Sequence, residues 1–301
     1  MKIIITGITS FLGINLAKDL IKLGHEVTGV IRPSSQNVKK LEKEFLNNIN
    51  ILRCNIEDLI NLDICFDAMI HLAWDGIGSV GRSDPVIQEK NYEISQQAYL
   101  AAKKMQCKRF LFSGSQAEYG NGTKDNPKPI SEYGKKKLAF GLWGMQMSLK
   151  DPSMIFIHMR IFSIYGWGDH ENCLVYSVIR AALNKQEILL GPCDQLWSYL
   201  EIRDCTSAVC LLVTNDNAKS DIYDIAGEPS CFLKKYVIQI NKICGNGAFL
   251  SFNKRKNNAE GDVDLNPDLK KIKQLGFIQK ISFIDGIKEL KEKIGAKYES
   301  E

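Results

Sequence analysis

MKIIITGITSFLG, residues 1–13, decides the fold. The apolar run Ile3-Ile4-Ile5 reads as a strand, and Thr6-Gly7 ends it at once. Phe11-Leu12-Gly13 then leads into INLAKDLIKLG (14–24), apolar at helical spacing, and HEVTGVI (25–31) starts a second strand. Strand, glycine turn, helix and strand within about thirty residues form the frame in which a glycine turn can hold a dinucleotide. Gly7 suits the tight turn and Gly13 the close packing of helix on strand. The helix N-terminus would direct free N–H groups and a positive dipole at a pyrophosphate. Ser10 stands at the middle of the motif, so a Cβ intrudes where backbone and phosphate approach most closely.

The alternation continues outward from this unit. INILRC (49–54), AMIHLAW (68–74), RFLFSG (109–114) and IFIHMRIF (155–162) are further strand candidates. Helical stretches such as IQEKNYEISQQAYLAAKKMQ (87–106) lie between them. The pattern predicts an α/β fold with a doubly wound parallel sheet, a Rossmann fold, whose ligands gather at the carboxyl ends of the strands. After Tyr165 it loosens: YGWGDHENC (165–173) reads as loop, and CLVYSVIRAALNK (173–185), LKKYVIQINKIC (233–244) and ISFIDGIKELKEKI (281–294) as helices. DIYDIAG (221–227) is a late strand candidate.

Tyr133-Gly-Lys-Lys-Lys137 places a tyrosine and a lysine four residues apart, which on a helix puts both on one face. A phenol, with a free pKa of about 10, is a poor base at neutral pH; a lysine ammonium beside it favours the phenolate. Lowering such a pKa by roughly three units takes about 4 kcal/mol of differential stabilisation, much of which one close cation in a dry cleft could supply. Some twenty positions earlier, Phe110-Leu-Phe-Ser-Gly-Ser115 ends an apolar strand in hydroxyl residues. A serine there can donate to a substrate oxygen on which charge develops.

Together these residues resemble the extended short-chain dehydrogenase/reductase superfamily, in its epimerase/dehydratase branch that acts mostly on nucleotide sugars. The resemblance covers nearly the whole chain. The family's G-x-x-G-x-x-G matches Gly7 and Gly13, with Ser10 as a departure, and H-x-A-A matches His71-Leu72-Ala73, with Trp74 replacing the last alanine. A helix asparagine falls on Asn91, and S-S-x-x-V-Y-G matches Ser113-Gly-Ser115-Gln116-Ala-Glu118-Tyr119-Gly120. R-x-x-N-x-Y-G reads Arg160-Ile-Phe162-Ser163-Ile-Tyr165-Gly166.

The resemblance implies Ser115, Tyr133 and Lys137 as catalytic residues. It implies a dinucleotide held by Thr6, Gly7, Ser10, Phe11, Leu12, Gly13, Arg32, Asn55, Ile56, Leu72, Ala73, Asn91, Ser113, Tyr133, Lys137 and Phe162. A nucleotide-diphosphate sugar would meet Trp74, Arg82, Ser115, Gln116, Ser163, Arg180, Trp197 and Arg203. In the family's Q-x-R-D-F element this chain has Gln195-Leu-Trp197, tryptophan for the arginine that touches the diphosphate; Arg180 and Arg203 are candidate replacements. It also implies a cofactor-binding domain over 1–165 with a return segment near 202–214, a smaller substrate-binding portion over 166–301, and a homodimer through helices near Asn91–Lys104 and Ser131–Met147.

Arg32, at the end of the second strand, occupies the position where NAD-preferring proteins carry a carboxylate. A guanidinium can pair bidentately with a 2′-phosphate, which favours NADP; stacking on adenine would instead allow NAD. The glycine-rich stretch Trp74-Asp-Gly-Ile-Gly-Ser-Val-Gly81-Arg82 either closes over the sugar or is a flexible connection. The expected activity is reduction of a 4-keto-6-deoxysugar nucleotide by NADPH. A 4-epimerase uses the same residues; a 4,6-dehydratase needs an acid–base pair where this chain has Gln116 and Ala117. A non-catalytic NADP sensor would lack the tyrosine and lysine.

Composition excludes other classes. With 301 residues, 45% hydrophobic and 25% charged, the chain has the makings of a globular, soluble protein. A net charge of +4 without an arginine-rich stripe does not suggest nucleic acid. Nine scattered cysteines without C-x-x-C pairs fit reduced thiols in the cytoplasm, and His25, His71, His158 and His170 form no metal-ligand spacing. No apolar run suggests a signal peptide or a membrane span.

Overall fold

The structure is a computed structural model and describes residues 1–37, 41, 48–123, 125–255 and 266–300. Seven strands form one parallel sheet: β1 (Lys2–Thr6), β2 (Glu26–Ile31), β3 (Asn50–Arg53), β4 (Ala68–His71), β5 (Arg109–Ser115), β6 (Ile155–Ile161) and β11 (Asp221–Ile225). Their order across the sheet is β3-β2-β1-β4-β5-β6-β11. All seven candidate strands from the sequence are present, the late one as β11. The order reverses between β1 and β4, which opens a crevice at their carboxyl ends.

The unbroken apolar run of β1 follows from burial on both sides. Ile3 and Ile5 pack into one layer and Ile4 into the other, all fully buried. The first layer holds α1 (Phe11–Lys22) and the second holds α2 (Pro85–Lys104) and α3 (Glu132–Lys150).

Beyond Tyr165 come α4 (Leu174–Leu183), α5 (Ile202–Thr214), α6 (Leu233–Ile243), α7 (Lys270–Gln274) and α8 (Phe283–Ser300). The short strands there pair two by two: β7 (Ser163–Tyr165) with β10 (Tyr199–Glu201), β8 (Glu187–Leu189) with β13 (Phe249–Ser251), and β9 (Leu196–Trp197) with β12 (Cys231–Phe232). This part crosses back into the large layer: Thr206 of α5 bonds Asp19 of α1, and β11 becomes an edge of the main sheet. An aromatic cluster of Tyr165, Tyr199, Tyr236 and Phe283 packs the smaller part. Among the described residues no helix is long and apolar enough to cross a membrane, and no group of His, Cys, Asp and Glu could hold a metal ion.

Candidate active site

A cleft of ≈ 680 Å³ opens along the carboxyl ends of β1, β2, β4, β5 and β6. It begins at the glycine turn. Gly7 has φ +74°, and a Cβ on it would stand 2.7 Å from Ala73 N, so glycine is required on both counts. A Cβ on Gly13 would meet Gly7 O at 2.4 Å, which brings α1 down on the turn that precedes it. Ser10 is the N-cap of α1, and its Oγ accepts from Gly13 N at 3.0 Å. Its side chain thus satisfies one first-turn N–H. The N–H groups of Phe11 and Leu12, both cleft-lining residues, remain for an anion. A cleft of this extent, with an anion cradle at one end, fits a dinucleotide.

The catalytic candidates meet at the other end. Ser131 caps α3 by accepting from Gly134 N at 3.0 Å. A Cβ on Gly134 would lie 2.4 Å from Ala117 O, so this glycine lets the helix approach the turn that follows Ser115, the last residue of β5. Ser115, Tyr133 and Lys137 all line the cleft and are 7%, 7% and 2% exposed. Ser115 Oγ accepts from Ala117 N at 3.2 Å, which leaves its own proton for an outside acceptor. Lys137 Nζ donates to Ser113 O at 2.6 Å and lies 3.8 Å from the centroid of the Trp74 ring. Burial pushes Lys137 well below the usual lysine range; Glu118 opposes this and Arg82 adds to it.

His71, at the end of β4, is fully buried and is held near pKa 3 by burial first and by Lys137 second. It is neutral: Ser95 Oγ donates to Asn91 O and so accepts from His71 Nε2, while Thr6 Oγ1 donates to Nδ1. With both ring nitrogens hydrogen-bonded, it supports the floor of the cleft.

Beneath Ser115 lies a network that the sequence reading missed. Glu118, fully buried, accepts from Ser115 N at 2.8 Å, His158 Nε2 at 3.0 Å and Arg160 Nε at 3.0 Å. Burial alone would raise its pKa, but the His158 ring, the Arg160 guanidinium and the Ser115 N–H hold it below the ordinary carboxylate value. His158 and Arg160 stand two apart on a central strand and therefore share a face. Two polar residues so placed in IFIHMRIF were the available signal for a buried partner.

The glycine-rich stretch after β4 is pinned to α2. Gln88, fully buried, donates to Gly76 O and Gly81 O and accepts from Trp74 Nε1 at 2.7 Å. Asn91 exchanges two bonds with the Asp75 backbone. At the cleft mouth Arg32 pairs with the Asp75 carboxylate at 2.7 Å, a partner that the sequence did not suggest. Asn55, Ile56, Leu72, Phe162, Gln116 and Ser163 also line the cleft, and Gln116 Nε2 donates to Ser163 Oγ at 3.3 Å.

Three other sequence-derived residues lie outside it. Arg203 is tied to Glu201 and Glu289, and Trp197 is buried in β9. Arg180 lines a separate pocket with Trp167, Tyr176 and Lys297. Asp169, which the sequence reading did not single out, lines both pockets, and burial raises its carboxyl.

Comparison with known proteins agrees with this architecture. An uncharacterised UDP-glucose epimerase of Bacillus subtilis is 24% identical over 272 residues, 84% of this chain and 85% of its own. A CDP-abequose synthase of Salmonella muenchen is 24% identical over 225 residues, covering 74% and 73%. Among solved structures, the UDP-N-acetylglucosamine 4-epimerase of Methanobrevibacter ruminantium superposes with a TM-score of 0.86 at 19% identity, over 98% of each chain. The UDP-glucuronic acid 4-epimerase of Bacillus cereus, in complex with UDP-glucuronic acid and NAD, gives 0.85 at 23%, over 99% of this chain and 100% of that one. A family model matches residues 3–226, from β1 through β11 to the residue after it, and the chain belongs to the NAD dependent epimerase/dehydratase family.

Proposed function

We propose that this protein is an NAD(P)-dependent enzyme of nucleotide-diphosphate sugars, reducing a 4-keto-6-deoxysugar nucleotide with NADPH. The observation that carries the reading is the convergence of Ser115, Tyr133 and Lys137 at one end of a cleft whose other end is an anion cradle. A nicotinamide dinucleotide bound along that cleft would supply the hydride. Tyr133 donates the proton to the oxygen of the keto group, and Ser115 Oγ hydrogen-bonds that oxygen as its charge grows. Lys137 favours the phenolate that Tyr133 leaves behind. Arg32 and Ser35 line the cleft at the end of β2, which supports NADP.

Glu118 is turned into the core, and the carboxylates lining the cleft, Glu57, Asp75 and Asp169, come from other segments. That argues for carbonyl reduction or epimerisation over dehydration, which needs an acid–base pair next to Ser115. Val86 and Leu100 on α2 and Leu142 and Leu149 on α3 are exposed, which supports a homodimer through those helices.

The second reading, a 4-epimerase with retained NAD, is favoured by the solved neighbours, several of them 4-epimerases and several crystallised with NAD. Hydride accounting separates the two. A reductase oxidises one NADPH per product and leaves deuterium from labelled NADPH at the former keto carbon. Product formed with catalytic NAD⁺ and no NADPH oxidised makes the protein an epimerase.

A further inference from the structure

Tyr133 has a second cation above it. The Arg82 guanidinium carbon stands 4.3 Å from the centroid of the Tyr133 ring, closer than Lys137 Nζ at 5.7 Å. Arginines often rest on exposed aromatic rings with little consequence. Here the ring is 7% exposed and the arginine is delivered by a built loop.

Gln88 holds both ends of that loop through Gly76 O and Gly81 O, and a Cβ on Gly81 would stand only 2.5 Å from Gly76 Cα. Arg82 N donates to Gly78 O and Arg82 Nε to Ile77 O, so the start of the side chain is fixed as well. Trp74 packs its ring against Tyr133 at 6.2 Å, edge to face, from the first residue of the same loop.

We infer that Arg82 is a positioning residue for Tyr133, placed to hold positive charge over the phenol ring and favour its phenolate; this rests on Tyr133 being the proton donor of the proposed reaction. Ionisation spreads negative charge into the ring, so a cation over its face stabilises phenolate more than phenol. Burial disfavours the ammonium form of Lys137, against the pull of Glu118, so a second cation adds to what Lys137 supplies. A guanidinium keeps its proton at any relevant pH. Around Tyr133, Lys137 comes from the same helix and Arg82 from the loop. The buried Glu118 carboxylate favours the Lys137 ammonium, and His71 of β4 is neutral. Arg82 was expected from the sequence to meet substrate; its place over Tyr133 gives it a task before substrate arrives.

The test is a phenolate titration by ultraviolet difference absorbance on the apoprotein. The Tyr133 signal is the wild type minus Tyr133→Phe, and in the variant background Arg82→Met minus Arg82→Met/Tyr133→Phe. Arg82→Met keeps an apolar stem of similar length on a loop side chain outside the core, and its thermal midpoint should match the wild type. The Tyr133 midpoint should rise by about half a pH unit or more, as a cation–π contact of this kind implies. Arg82→Lys, titrated in the same way, should recover at least half of that rise. A smaller rise in Arg82→Met, or an Arg82→Lys midpoint no lower than that of Arg82→Met, overturns the inference. No substrate or cofactor enters the measurement. Failure to convert a sugar nucleotide would therefore remove the proposed function and leave this result standing.

Discussion

Glu118 and Asp75 are both carboxylates within hydrogen-bonding distance of an arginine, one beneath the cleft and one at its mouth. The side chains of Glu118 and Arg160 are 0% and 3% exposed, whereas those of Arg32 and Asp75 are 57% and 58% exposed. In the first pair water can replace neither partner. The negative charge is shared among Arg160, His158 and the Ser115 backbone, so the pair fixes geometry. In the second pair water screens both ions, and such contacts are typically worth about 0–1 kcal/mol. An exposed pair can therefore open for a ligand, while a buried one can only be built around. The molecule carries a rigid charged floor under its chemistry and an exchangeable pair where the adenosine end of a cofactor would lie.

The largest expected effect is on the floor. Glu118→Ala should destabilise the fold by about 3–5 kcal/mol, because it takes the hydrogen-bonded carboxylate from buried Arg160 and leaves it only the attraction of Asp224. Urea denaturation of variant and wild type checks this; a loss below about 1 kcal/mol would place Glu118 with the exposed pairs. The pH dependence has a definite sign. The Glu118 pKa in the folded state lies below its unfolded value of about 4.3, so its contribution is full above that value and is lost as pH falls through the folded one. Glu118→Gln, compared with wild type, should therefore show a shallower loss of stability on acidification from about pH 5 downward.

Next comes Tyr133→Phe, which should keep the fold and cofactor binding and lower kcat at least ~10²-fold, the low end for a general acid. Activity within a few-fold of wild type would take Tyr133 out of the mechanism and revive the sensor reading.

The contrast also explains what could be read in advance. β1, β2, β4, β5 and β6 are apolar because both faces are covered, so their periodicity survives in the sequence. Ser115, Tyr133 and Lys137 sit at strand-end and helix positions with fixed spacing. Glu118 was visible as a residue and not as a partner. Its bonds reach 40 and 42 positions ahead to β6, and no local pattern encodes that pairing. The same holds for Arg32 and Asp75, 43 positions apart. Arg180 and Arg203 were picked for their charge, and charge alone does not say which side of a helix faces a cleft. Arg203 is taken up by Glu201 and by Glu289, which is 86 positions away.

At the cleft mouth Arg32→Asp should weaken NADPH by roughly 1.5–3 kcal/mol, the range for a hydrogen bond to a charged group, and spare NADH. Fluorescence titration with both cofactors checks it. Equal loss for both would mean that Arg32 meets adenine or ribose rather than a 2′-phosphate.

Asp75→Ala carries the smallest expected change and is the sharpest probe of an exchangeable pair. Its side chain is more than half exposed, so stability should shift by no more than about 0.5 kcal/mol. The loop should hold, because Asn91 grips the Asp75 backbone N–H and C=O, which alanine retains. What changes is the competition for Arg32. In the wild type a 2′-phosphate has to displace the Asp75 carboxylate and then sit beside its negative charge. Without that carboxylate the guanidinium is available from the start. NADPH should therefore bind two- to fivefold more tightly, or about 0.4–1 kcal/mol, with NADH unchanged. If the two cofactors shift together, Asp75 acts on the part of the dinucleotide that they share. If NADPH weakens, the Arg32–Asp75 pair is not displaced on binding but forms part of the bound site, and the mouth of the cleft would have to be counted with its floor.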